Sequence, residues 1–226
     1  MPKIYVSFVW HMHQPFYKDL VSNEYKLPWT RMHALKDYYG MVKVLEDFPQ
    51  VHQTFNLVPS MLVQLDEYAR GVAVDPFLRC ANKDTSSLSD GEREFILRYF
   101  FQANVQRMIY RYPRYAELYE AWKAVDENPQ RGLRTFNDAA IRDLQVLSQL
   151  AWFDEEFFAS DSDLQDLVKR ERDYSPGDQA MLAAKQLEKL GMVAQVYRDF
   201  SKTGQIEISA TPFYHCLLYT SPSPRD

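Results

Sequence analysis

Ile4-Tyr-Val-Ser-Phe-Val-Trp10 runs directly into His11-Met-His-Gln-Pro15. The first seven residues are almost continuously apolar and rich in β-branched and aromatic side chains. Such a run predicts a strand buried on both faces, as in a parallel sheet covered by helices. The polar cluster stops the strand, Pro15 fixes the turn, and a loop follows through Trp29. His11 and His13 are two residues apart at the strand's end. A continued extended path points both side chains to one face. In α/β barrels the C-terminal strand ends build the active site. Two imidazoles there can ligate a metal, or hydrogen-bond sugar hydroxyls and a developing charge. Gln14 adds a neutral donor and acceptor. The plainer reading is that both histidines satisfy buried backbone groups.

Downstream, Met32, Leu35, Tyr39, Val42 and Leu45 have helical spacing, and Phe48-Pro49 closes a helix over residues 31–48. Val51 to Leu57 predicts a second strand. Pro59 opens a helix that ends at Gly71. Strand, helix, strand, helix indicates an α/β fold with right-handed crossovers. From residue 76 to 200 the signals are helical only. Ser89-x-x-Glu92 is a capping box for a helix expected to run to Tyr112. Pro113 ends it or starts the next. Asn137 caps a helix through Ile141, Leu144, Leu147 and Leu150. Ser175-Pro176 starts a long helix ending near Phe200. Gly204 to Ser209 (GQIEIS) alternates polar and apolar and predicts a third strand. Three strands cannot close a barrel, which takes about 250 residues when complete.

The chain therefore divides into four parts. Residues 1–75 hold the first βα units, 76–200 a helical insertion, 201–215 a third strand, and 216–226 a tail. The tail, ending SPSPRD, is a Pro-rich polar stub without periodicity. It resembles translated sequencing-adapter read-through, so nothing after about His215 is expected to be native, Cys216 included, and the chain is expected to be a truncated N-terminal fragment. A frayed natural terminus is the alternative.

Composition excludes several function classes. A net charge of -5 argues against nucleic acid or an anionic membrane as partner. The two cysteines, Cys80 and Cys216, make neither a disulfide framework nor a zinc pattern, so a reducing, cytoplasmic setting is the default. No apolar stretch is long enough to span a bilayer, and no signal-peptide pattern is present. Aromatics are 15% of the chain. Packing accounts for most such rings, while some can stack on pyranose faces.

Glu207 is the second candidate for chemistry. It is a carboxylate between Ile206 and Ile208, followed by Thr211-Pro212-Phe213-Tyr214-His215. Strand glutamates more often face solvent, but one at a rim serves as acid, base or hydroxyl ligand. Lesser candidates are His52 and Asn56 on the second strand, Glu24 and Trp29 in the first loop, and Trp152 with Asp154. Packing or capping is the simpler explanation for each of these. His33 lies on a helix and is expected to be structural.

Together, His13-Gln14-Pro15 and Gly204 to Ser209 resemble the first two motifs of glycoside hydrolase family 57, HQP and GNVEVT. Gln205 replaces Asn, Ile206 and Ile208 replace Val, and Ser209 replaces Thr. FNLVPSMLVQL (55–65) and LAWF (150–153) look like its α-amylase and amylopullulanase branch. The resemblance implies a partial (β/α)7-type barrel with a helical insertion, acting on an α-glucan or maltooligosaccharide without a cofactor. It implies a retaining mechanism, which needs two carboxyls about 5–5.5 Å apart. The family's nucleophile Glu and acid/base Asp belong to later motifs that this sequence lacks, so the chain alone is expected to be inactive. His13, Gln14 and Glu207, with His11 beside them, take substrate-binding roles. Two other readings stand. One is a metal-dependent barrel hydrolase or deacetylase using His11 and His13, with His52 or His215 as further ligands. The other is a non-catalytic carbohydrate-binding protein.

Overall fold

Strand β2 (Gln53–Leu57) is the middle of a three-stranded sheet, flanked by β1 (Val9–Met12) and β3 (Ile206–Ala210), all parallel. The computed structural model describes residues 4–213. The readings of His215, Cys216 and the tail lie outside those residues. The fold is mixed α/β, a small parallel sheet with many helices. Alternation along β2 divides the sheet into two faces. Phe55 and Leu57 turn towards the helices, and the Phe55 ring meets Tyr197 edge-on at 5.2 Å. Thr54 and Asn56 turn to the other face.

The first strand departs from expectation in two ways. Its ladder begins only at Val9, and Ile4, Tyr5, Val6, Phe8 and Val9 are exposed rather than buried on both faces. The physical reason is its position. β1 is an edge strand paired with β2 alone, and no described element covers its apolar flank.

After β1 the chain forms α1 (Trp29–His33), a π-helical turn (Ala34–Tyr38), α2 (Gly40–Lys43) and a 3-10 turn (Val44–Asp47). The predicted single helix is thus broken, yet Met32, Leu35, Tyr39, Val42 and Leu45 are all buried as its spacing requires. α3 (Pro59–Ala69) follows β2 and stops where Gly71 takes φ +70°, a value that favours glycine.

Between α3 and β3 every further element is helical: α4 (Pro76–Asn82), α5 (Asp90–Tyr99), α6 (Pro113–Ala124), α7 (Pro129–Thr135), α8 (Asp138–Leu150), α9 (Glu155–Ser160), α10 (Ser162–Arg170) and α11 (Pro176–Lys202), with short turns between. The Ser89–Glu92 capping box starts α5 as read. The helix stops at Tyr99 instead of Tyr112, because the Asn104 side chain caps a new π-helical turn, Val105–Ile109. Asn137 caps α8 by accepting from the Ala140 N–H at 2.9 Å. α8 is buried nearly all round, so its polar side chains need internal partners. Gln145 donates to the Cys80 and Lys83 carbonyls, and Asp143 accepts from Arg114. α11 packs on α3, α8 and the π-helical turn before delivering the chain to β3. One continuous apolar core therefore joins the sheet's helical face to the long helical segment.

Candidate active-site cleft

In a parallel sheet all strands end on the same side, so residues at matching register form a row. His11, Asn56 and Ser209 are such a row. Asn56 Oδ1 accepts from His11 Nδ1–H at 2.7 Å, and Asn56 Nδ2 donates to Ser209 Oγ at 3.0 Å. His13 stands on the same side as His11. Their rings stack with centroids 5.8 Å apart and planes 7° apart, as the extended path predicted.

The loop after β1 is held by the start of α3. Ser60 Oγ donates to the Gln14 carbonyl, and Gln64 Nε2 donates to the Pro15 carbonyl. Gln64 Oε1 accepts from the Tyr17 N–H. The Gln14 side chain is itself clamped. It donates to Tyr38 Oη at 2.8 Å and accepts from the Tyr17 hydroxyl at 3.0 Å. Burial pushes the Tyr38 phenol up to about 12, with the Gln14 bond opposing it, so Tyr38 stays neutral and hydrogen-bonding. Such second-layer support fixes the orientation of groups that meet a ligand.

A cleft of about 600 Å³ opens beside this loop. His11, His13 and Gln14 form one wall, and His33, Asp37 and Asp154 belong to the other. Trp10 also lines it, its indole N–H bonded to Gln53 Oε1 at 2.6 Å. That exposed ring is a platform on which an apolar sugar face can stack. Asp154 caps α9 by accepting from the Glu156 N–H, so the capping explanation holds for it. Burial raises its carboxyl above the usual range, against the opposing pull of that N–H.

Glu207 lies on the same face as the row but two residues earlier on β3, opposite Thr54. It is exposed, with Thr54 Oγ1 at 3.5 Å. The remaining candidates are scattered. Glu24 accepts from Arg79, and Trp29 and Trp152 pack together at 6.0 Å between centroids. His52 meets the Gly204 carbonyl at the N-terminal end of β2, the opposite end from His11 and His13. It does not join them, and among the described residues no three His, Cys, Asp or Glu side chains are grouped to hold a metal ion.

His33, expected to be structural, bonds Asp37 and packs against Tyr38 and Trp152, and it also lines the cleft. The sequence singles out none of Tyr17, Tyr38 and Asp37, and it marks Ser209 only as a motif position where Ser replaces Thr. One signal was present: Gly40 interrupts a helical pattern. A Cβ there would clash with the Asp154 carboxylate, which marks a close approach at the cleft wall.

Amide, hydroxyl, imidazole and carboxylate groups around an exposed indole suit a polyhydroxylated ligand, the substrate of a carbohydrate-active enzyme. Residues 7–223 match the sequence model of Glycosyl hydrolase family 57. The chain belongs to that family and is a glycoside hydrolase with a carbohydrate substrate. Neither a curated protein nor a solved structure matches it. Among the described residues no helix is long and apolar enough to cross a membrane.

Proposed function

We propose that the chain forms the substrate-binding part of an α-glucan-acting, retaining glycoside hydrolase or glucanotransferase of the α-amylase and amylopullulanase type. The observation that carries this reading is the row His11–Asn56–Ser209 at the ends of three parallel strands. It presents an imidazole, a carboxamide and a hydroxyl where an α/β barrel places its active site. The three strands form the first part of a (β/α)7-type barrel. His11, His13, Gln14 and Glu207 bind glucosyl hydroxyls and are neither nucleophile nor acid/base. The protein works in the cytoplasm, which the buried unpaired Cys80 supports.

Calorimetric titration of the 226-residue chain with maltoheptaose tests the proposal. Binding is expected, weakened about tenfold or more by His11→Ala, which corresponds to about 1.4 kcal/mol. No reducing sugar is expected to be released, because neither motif supplies the catalytic carboxyls. Failure to bind any maltooligosaccharide would remove the α-glucan reading.

A further inference from the structure

We propose that His33, the last residue of α1, and Asp37, on the π-helical turn that follows, form a second sugar-binding wall facing the His11–His13–Gln14 wall across the cleft. The inference rests on the carbohydrate reading of that cleft. π-helical turns are rare and often mark functional positions. This one lies between α1 and α2, where an uninterrupted α-helix was predicted. Leu35 of this turn is in the core, while Asp37 and the largely buried Tyr38, with His33 just before them, line the cleft.

The pair is built more firmly than a surface contact. His33 Nδ1–H donates to Asp37 Oδ2 at 2.8 Å, with side chains 37% and 45% exposed. The imidazole is braced on two sides. It stacks on Tyr38 with planes 20° apart and meets Trp152 edge-on at 5.5 Å. Tyr38 in turn holds Gln14 of the facing wall, so one set of contacts links both sides of the cleft. An exposed i,i+4 ion pair alone would be worth about 0.3–0.5 kcal/mol and would not explain this bracing.

The bond between the two side chains also sets their chemistry. In the tautomer that carries its proton on Nδ1 and gives it to Asp37, the Nε2 of His33 is an acceptor. The second carboxylate oxygen of Asp37 is another acceptor close by. Two neighbouring acceptors match two neighbouring hydroxyl donors, the vicinal diol that every unbranched glucosyl unit carries. The facing wall supplies the complementary amide of Gln14. The ligand class is thus a neutral sugar held by its secondary hydroxyls, with His33 and Asp37 as binding residues that take no part in bond cleavage.

The experiment is calorimetric titration of the full chain and its variants with maltoheptaose, alongside thermal melts. Asp37→Ala and His33→Ala are each expected to weaken binding fivefold or more, with melts close to the parent. Asp37→Asn retains an acceptor oxygen and is expected to lose less than Asp37→Ala. If the alanine variant unfolds, the Asn variant and His33→Gln carry the test. Normal affinity in the His33 and Asp37 variants, with His11→Ala impaired, overturns this inference and leaves the α-glucan reading intact. Absence of binding by the parent chain overturns both.

Discussion

His11 and Asn56 are register partners on adjacent parallel strands, and their side chains meet at 2.7 Å, Asn56 Oδ1 accepting from His11 Nδ1–H. The carboxamide then spends its other end on Ser209. One asparagine therefore orients the groups at the ends of all three strands. Asn56→Ala removes both bonds and leaves the partners without their fixed orientation. The expected loss is about 1–2 kcal/mol in urea unfolding. Maltoheptaose affinity should fall with it. A variant as stable and as tight-binding as the parent would show that the row is incidental.

Gly40 packs against the Asp154 carboxylate, whose Oδ1 is tied to the Glu156 N–H. In an open helix, Gly→Ala gains about 1 kcal/mol from propensity. Here the new methyl must displace a short side chain that caps α9. Overpacking of this kind costs about 1–3 kcal/mol. Gly40→Ala is expected to lower the melting temperature, and the Gly40→Ala, Asp154→Ala double variant should lose less than the sum of the singles.

Arg31 is 1% exposed and holds three elements together. Its Nε lies 3.3 Å from Asp75 Oδ2, and its Nη1 donates to Gln149 and Gln186, each at 2.8 Å. Asp75 also accepts from the Tyr68 hydroxyl and caps α4 through the Leu78 N–H. Arg31→Met strands this carboxylate without its counter-charge. Breaking a buried pair from one side costs about 3–5 kcal/mol. Chemical denaturation should show a loss in that range, and adding Asp75→Asn should restore part of it, since Asn retains the cap.

Asp161 is buried where α9 passes into α10. Burial alone would raise its carboxyl. The Lys189 and Lys185 ammonium groups, at 2.7 and 2.9 Å, and the Leu164 N–H outweigh burial and hold it at about 2. The folded-state value lies below the ordinary 3.8, so the contribution is complete above pH 4 and disappears as pH falls towards 2. Urea unfolding of the parent and of Asp161→Asn, followed from pH 6 to pH 2, should show the stability gap closing across that interval. A gap that stays constant would contradict the coupling.

Much of the helical framework was legible from short segments. The capping box at Ser89, the cap at Asn137, the Ser175-Pro176 start and the prolines at 59 and 113 start helices where the residues indicate. Each such signal acts within three or four residues. The His11–His13 alignment was legible for the same reason, because extended backbone puts alternate side chains on one side.

The sequence by itself determined the order of strands and helices, most helix starts, and the family through two motifs at opposite ends of the described chain. Tertiary structure alone decided the partners. His11 meets Asn56 across 45 positions, Asn56 meets Ser209 across 153, and His33 becomes a cleft residue because Trp152 and Tyr38 brace it there. It also decided that Val9 and Trp10 lie at an open sheet edge and that Ile4 to Phe8 stay exposed before the ladder begins, although the composition of the run alone suits a covered strand. The physical reason is one of range. Backbone preference and capping act between near neighbours, whereas burial and side-chain pairing depend on which distant segments pack together.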